Sequence, residues 1–215
     1  MMIEQQDLYE RGIDVSKWQG TIDWEKVAAD GIQHVFIKMS EGGTYTDIKF
    51  LDNWHAANNA GLKVNVYHYF RALNSTPKEQ FANIKRNLSL VGFDPFINLL
   101  AIDVEKRGNE KASKDEIADH LQDLLGMIKQ DILCHVNPII YCSPAYWDSA
   151  LNWEKYDFSM NPLWIANWNV DKPRIPQTWQ QSGSTWSWWQ YSSKGTVNGI
   201  SGFVDLDWVN NKLTS

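Results

Sequence analysis

The chain has 215 residues, 43% of them hydrophobic and 21% charged, with a formal net charge of −6. That is enough apolar material for one large packed domain, and the acidic balance excludes nucleic acid as the main ligand, since phosphate binding needs a basic surface. No apolar run approaches the ~20 residues that span a bilayer, so membrane insertion is excluded as well.

Met1 to Arg11 is polar and acidic, without a basic or apolar leader region, so no Sec-type signal peptide is expected there. Residues 1–10 read as a tail and residues 11–215 as a single domain. Gly12 to Ser16 reads as a first strand, followed by a Lys17-Trp18-Gln19-Gly20 loop. Thr21 or Asp23 can cap a short helix from Trp24 to Asp30, which Gly31 ends. His34 to Met39 is a second, buried strand. Asp47 to Ala60 reads as a helix with Phe50, Leu51 and Trp54 on one face. Leu62 to Phe70 alternates like a third strand. Thr76-Pro77 opens a helix to about Leu90, with proline at its first position.

Asn98 to Glu105 is a fourth strand, bounded by Pro95 and by the Gly108-Asn109 loop. Ser113 and Glu116 form a capping box for a helix to about Leu133. Pro138 to Cys142 is the fifth strand, with a short helix near Ala145 to Ala150 after it. Beyond that point helix formers thin out. Leu163–Ala166, Ser187–Tyr191 and Gly202–Leu206 read as three more strands, joined mainly by loops rich in Pro, Gly, Ser and Asn.

Strands alternating with helices imply a parallel sheet, and eight strands in one chain favour closure. The predicted fold is therefore α/β, an irregular TIM-like barrel of eight strands: about five βα units, then three strands with few helices. An open doubly wound sheet is the competing architecture. No Gly-x-Gly-x-x-Gly follows the first strand to support it.

The fourth strand ends in two carboxylates, Asp103 and Glu105, spaced i, i+2. Alternation puts both on one face with α-carbons roughly 6.5 Å apart. Like charges that close repel, so one of the two should hold its proton near neutrality, as a general acid must. The competing assignment is two solvated acids paired with Lys106 and Arg107. In a barrel, strand ends meet at one mouth, which would bring Asp14, Asp205 and Asp207 to the same pair. Lys38, Tyr67, Tyr69, Tyr141, Gln190 and Tyr191 lie at the remaining strand ends, making a mouth both acidic and aromatic. Those are the parts of a glycosidase.

Clustered carboxylates also suit Mg²⁺ or Ca²⁺, but there is no EF-hand loop, no His-Glu-x-x-His, and no ligand spacing among the five histidines. No metal and no cofactor is expected. Cys134 and Cys142 have neither a redox nor a zinc spacing and read as reduced, partly buried thiols, with a Cys134–Cys142 bridge as the alternative in an oxidising compartment. His68 reads as a packing or hydrogen-bonding residue of the barrel wall. The 12 tryptophans are the compositional anomaly. Trp24, Trp54, Trp147 and Trp153 fall on helical or loop segments and read as core, whereas Trp164, Trp168 and Trp189 lie near strand ends, where a sugar could stack.

Several of these pieces together resemble the family 25 glycoside hydrolases, the Chalaropsis-type lysozymes. They are Gly12-Ile13-Asp14-Val15-Ser16 with Trp18-Gln19-Gly20, Phe36-Ile37-Lys38-Met39-Ser40-Glu41-Gly42, Tyr67-His68-Tyr69-Phe70, Ala101-Ile102-Asp103-Val104-Glu105, Leu163-Trp164-Ile165-Ala166, Trp189-Gln190-Tyr191-Ser192 and Gly202-Phe203-Val204-Asp205-Leu206-Asp207. They occur in family order between Gly12 and Leu213.

The resemblance implies a flattened eight-stranded barrel and hydrolysis of the β-1,4 bond between N-acetylmuramic acid and N-acetylglucosamine in peptidoglycan. It makes Glu105 the general acid, Asp103 its partner, and Asp14 and Asp205 the supporting acids. Tyr67, Tyr69, Tyr141 and Trp164 would wall the cleft, with Lys38, Gln190 and Tyr191 as further sugar contacts. An i, i+2 pair is badly placed to flank a sugar from opposite faces, which favours a substrate-assisted, retaining route.

The chain departs from the family at Asp207, where asparagine is common, placing one more acid at the rim. The expected partner is the peptidoglycan glycan strand, acted on in the bacterial wall. Delivery by phage lysis or by a secretion system would each fit, and an inhibitor or immunity protein is left open. A chitinase-like enzyme would want an aspartate where Ala101 stands, and an inactive glycan-binding module would have no use for a like-charged pair.

Overall fold

The computed structural model describes residues 9–210; most of the expected N-terminal tail, and Leu213 at the far end of the family resemblance, lie outside them. The first strand, β1 (Glu10–Val15), starts at the last residue assigned to that tail. The other strands are β2 (His34–Glu41), β3 (Tyr45–Thr46), β4 (Lys63–Tyr69), β5 (Leu100–Asp103), β6 (Ile139–Cys142), β7 (Leu163–Ala166), β8 (Trp186–Gly195) and β9 (Val204–Val209). The helices are α1 (Trp24–Ala29), α2 (Phe50–Asn59), α3 (Pro77–Leu88), α4 (Lys114–Asp131), α5 (Pro144–Ala150) and α6 (Gln177–Gln181). Among the described residues only α6, five residues long, lies beyond Ala150, in keeping with the loss of helix formers there.

The strands run β1-β9-β8-β7-β6-β5-β4-β2, and a parallel β1–β2 pairing closes the ring into a barrel of eight. β3 is a two-residue extension paired to the end of β2 and outside the ring. The final strand departs from an all-parallel sheet: β9 is antiparallel to both β8 and β1. A parallel crossover needs a dozen or more residues, and the segment from residue 196 to 203 is too short and has no helix. The reversal carries a functional consequence. The start of β9, not its end, lies at the mouth, and Asp205 sits directly opposite Asp14 in the register.

Two apolar layers follow from strand alternation. Outward-facing residues such as Ile13, Ile37, Ile102, Ile140 and Ile165 pack under the helices in the main core. Inward-facing Phe36, Ala101, Tyr141, Trp164 and Trp188 fill the barrel itself. Phe36 and Trp164 stack with centroids 4.4 Å apart, and Tyr141 meets Trp164 edge-on at 4.7 Å. Gly12 lies where an added Cβ would come within 3.2 Å of the Trp188 ring, so a side chain there would crowd that buried indole.

Helix boundaries obey local chemistry. Asp23, Thr76, Ser113 and Ser143 each cap a helix through a side-chain oxygen, and Thr76/Glu79 and Ser113/Glu116 form reciprocal capping boxes. On α2, Phe50, Asn53, Trp54 and Ala57 are buried. Leu51 is not: it is exposed, one position off the face that the others share. Cys142 is a buried and Cys134 an exposed free thiol.

Candidate active site

Asp103 and Glu105 are brought to the barrel mouth in different ways. Asp103 is the last residue of β5, points inward with Ala101, and is 6% exposed. The strand is shorter than Asn98–Glu105, and Glu105 stands two residues beyond its end. What holds Glu105 is Asn109. Its Oδ1 accepts from the Ala72 N–H (2.7 Å), and its Nδ2 donates to the carbonyls of Phe70 (3.1 Å) and Glu105 (2.9 Å). A buried amide thus clamps the two loops that leave β4 and β5.

One cleft of about 260 Å³ is lined by Asp14, Asp103, Glu105 and Asp205 together. Lys38, Tyr67, Tyr69, Tyr141, Trp164 and Gln190 line it too. Tyr191 does not. Alternation along β8 turns Gln190 inward and Tyr191 outward, where its ring stacks on Trp208 at 5.1 Å. Trp189 also faces outward, its indole N–H donating to the Asn167 carbonyl (2.9 Å). Of the three tryptophans set aside for sugars, Trp164 is the buried floor and Trp168, 45% exposed, is a true wall. Trp24, Trp54 and Trp147 are buried in the core, as expected.

Gln190 organises the back of the cleft. Its Oε1 accepts from the Tyr141 hydroxyl (3.0 Å) and from the Trp168 indole N–H (2.9 Å), which leaves Nε2 to donate to Asp14 Oδ2 (2.6 Å). Tyr69 places its hydroxyl 3.2 Å from Glu105 Oε2 and 2.9 Å from the Arg107 carbonyl. Two cations approach its ring, Lys38 Nζ at 4.6 Å and the Arg71 guanidinium carbon at 4.9 Å from the centroid. Behind it, His68 has the wall role anticipated for it. Ser40 donates to Nδ1 (2.8 Å) and Nε2 faces Gln80 Oε1 (3.2 Å), with burial holding the imidazole neutral and its pKa down at about 4.

The acids are not equivalent. Burial, then the neighbouring Glu105 charge, pushes Asp103 well above the usual carboxylate range. Asp103 is thus the member driven toward the neutral form, and its Oδ1 has no hydrogen-bond partner among the described residues. Asp14 is pushed up by burial and by Asp205 and Asp207. Asp205 is raised to about 6 by burial and by Glu105. Asp207 does not add charge to the rim. It is 1% exposed inside the barrel, accepts from the Trp164 indole N–H (2.8 Å), and is pushed by burial to about 8. Neither Asp103 nor Glu105 pairs with Lys106 or Arg107 among the described residues.

Cleft residues that the strand pattern alone does not single out are Ser16, Gln19 and Arg107. Ser16 and Gln19 cap each other in a 3-10 turn, Lys17–Gln19, that leaves Trp18 77% exposed over the cleft. The Ser-x-x-Gln spacing is the one signal that could have located this turn. Arg107 comes from a loop with no period to read.

A closed barrel whose mouth gathers four carboxylates from β1, β5, the β5 loop and β9, over an aromatic floor, is the architecture of a glycoside hydrolase. Comparison with known proteins is specific. The sequence matches Glycosyl hydrolases family 25 over residues 13–200. It is 36% identical to the autolytic lysozyme of Clostridium acetobutylicum over 92% of this chain, and spans only 55% of that protein's length. It is 30% identical to lysozyme M1 of Streptomyces globisporus, over 93% of this chain and 67% of that protein. The crystal structure of a bacterial lysozyme from Streptomyces coelicolor superposes with a TM-score of 0.79 at 30% identity, covering 94% of this chain and 92% of that one. The chain belongs to glycosyl hydrolase family 25.

Proposed function

We propose that this chain is a peptidoglycan muramidase that cleaves the β-1,4 bond between N-acetylmuramic acid and N-acetylglucosamine. The observation that carries the reading is the convergence of Asp14, Asp103, Glu105 and Asp205 on one cleft with aromatic walls. The lysozyme names of its relatives support the choice of substrate. Its place of action is then the bacterial cell wall. No helix among the described residues is long and apolar enough to cross a membrane.

The pair Asp103/Glu105 works with one proton between them, as close carboxylates do. Burial favours that proton on Asp103, and the Tyr69 hydroxyl lies 3.2 Å from Glu105 Oε2. A bound sugar displaces water from Glu105 and the proton passes to it. Glu105 then protonates the glycosidic oxygen as the bond breaks. Asp103, now anionic, accepts the N–H of the substrate's 2-acetamido group, whose carbonyl oxygen closes on the anomeric carbon. Water attacks the resulting ring with Glu105 as base, so configuration is retained. Asp14 and Asp205 hold the charge of the pair in place, Asp14 itself being fixed by Gln190. Tyr67, Tyr141, Trp164 and Lys38 shape the sugar site.

Digestion of purified sacculi, followed by reduction and mass spectrometry of the new ends, tests the reading. Muramitol ends are expected. Glucosaminitol ends, or binding of sacculi without any cleavage, would refute it. Glu105→Gln should lose several orders of magnitude in rate while its melting curve stays that of the parent.

A further inference from the structure

Beside the acid cluster lies a second, oppositely charged pocket of about 280 Å³, lined by Lys17, Lys38, Tyr45, Arg71 and Arg107 with Glu41 and Asp47. It opens onto the cleft through Trp18, Lys38, Tyr69 and Arg107, which line both. Its two carboxylates are already satisfied. Glu41 Oε2 accepts from Lys38 (2.7 Å), and its Oε1 accepts from Arg71 Nε (2.9 Å). Asp47 Oδ2 and Oδ1 accept from the backbone N–H groups of Lys17 (3.2 Å) and Lys49 (2.9 Å). Four cations against two carboxylates leave a local charge of +2, in a protein whose net charge is −6.

The two cations without an ion-pair partner among the described residues are Lys17 and Arg107. Lys17 is half-buried, with its ammonium 5.2 and 5.3 Å from the Trp18 and Tyr45 ring centroids, and Arg107 is exposed at the cleft edge. Aromatic faces there hold the charge in position without neutralising it. A neutral glycan has no use for such a pocket. Of the two alternating sugars, only the muramyl residue carries an acid, either the carboxylate of its lactyl ether or those of the peptide attached to it.

We propose that Lys17 and Arg107 form an anion subsite that takes a carboxylate of the muramyl substituent while the glycosidic bond lies over Glu105. The inference rests on the muramidase reading and adds to it the group that tells the two sugars apart. The subsite discriminates by charge, since a carboxylate gains charge-assisted hydrogen bonds that a blocked carboxyl cannot.

The test uses soluble glycan strands in three forms: with the free lactyl carboxylate, with that carboxyl converted to its methylamide, and with an alanyl-isoglutamate stem. The parent protein should cleave at least one carboxylate form roughly tenfold better in kcat/KM than the methylamide, the scale of one charge-assisted hydrogen bond. Preference for the lactyl form assigns the lactyl carboxylate, and preference for the stem form alone assigns the peptide. The Lys17→Gln/Arg107→Gln double variant should bring the ratio to about one through KM, and Lys17→Arg/Arg107→Lys should restore it. Equal rates on all forms by the parent, or a ratio that survives in the double variant, would overturn the subsite. Cleavage of none would instead refute the muramidase reading. The subsite is then decided by quenching of Trp18 fluorescence, taken as the difference from Trp18→Phe, with muramyl dipeptide as probe. Quenching that the dipeptide's methylamide fails to produce sustains it, and equal response to both overturns it.

Discussion

Asp207 offers the sharpest test of the electrostatics. Its carboxyl is buried inside the barrel with only the Trp164 indole N–H as partner, and its Oδ2 has none among the described residues. A folded-state pKa of about 8, against 3.8 for the free side chain, means that the native state holds a proton which the unfolded chain releases. The sign follows from linkage: below about pH 4 both states are protonated, and from there stability falls with rising pH until the folded carboxyl itself ionises near 8. Each pH unit costs about 1.4 kcal/mol, so at pH 7 the loss approaches about 4 kcal/mol as an upper bound, with coupling to Asp205 taking part of it. Asp207→Asn keeps an acceptor for Trp164 and removes the titration. We expect urea denaturation to give the variant and the parent similar stabilities at pH 4, with the variant gaining by several kcal/mol at pH 7. The gain should level off above pH 8. A gap that is the same at every pH, or a variant weaker than the parent at pH 7, would refute the assignment of a neutral acid at this position.

Three further outcomes follow from named contacts. Asn109→Ala removes the partner of three backbone groups, two of them in buried bonds, so urea unfolding should show a loss of about 3 kcal/mol, with activity reduced further because Glu105 loses its anchor. Trp168→Ala should raise KM for glycan strands about tenfold with little change in kcat, removing a stacking face worth ~1–2 kcal/mol by analogy with other aromatic contacts; steady-state kinetics read the split. Glu105→Gln should lower the Asp205 titration below its midpoint of about 6, because the Glu105 charge is the second cause, after burial, of that shift. Carbon-detected NMR of the Asp205 carboxyl measures it, and an unmoved midpoint would mean that the two acids do not sense each other.

Much of this was legible in the residue order. The period-2 runs with inward Ala101, Tyr141 and Trp164 and outward Ile102, Ile140 and Ile165 dictate which face of each strand is core. Local capping chemistry sets the starts of α1, α3, α4 and α5. Acids at strand ends announce a mouth before any coordinate is known, because a strand's facing is written in its alternation and needs no distant partner. The sequence also announced a raised pKa within the Asp103/Glu105 pair. It could not say which member, since that depends on how deeply each is buried. Only the closed barrel decides this, placing Asp103 at the strand end and Glu105 on the Asn109-clamped loop.

The same is true of Asp207 and Tyr191. Motif spacing puts both beside the mouth, yet the antiparallel return of β9 carries Asp207 down into the interior, and the inward turn of Gln190 sends Tyr191 to the outer wall. The pocket of Lys17, Arg71 and Arg107 draws on three loops that are far apart in the chain. Local interactions are encoded within a few residues and can be read there. Burial, long-range charge and the meeting of loops are properties of closure, which no short window contains.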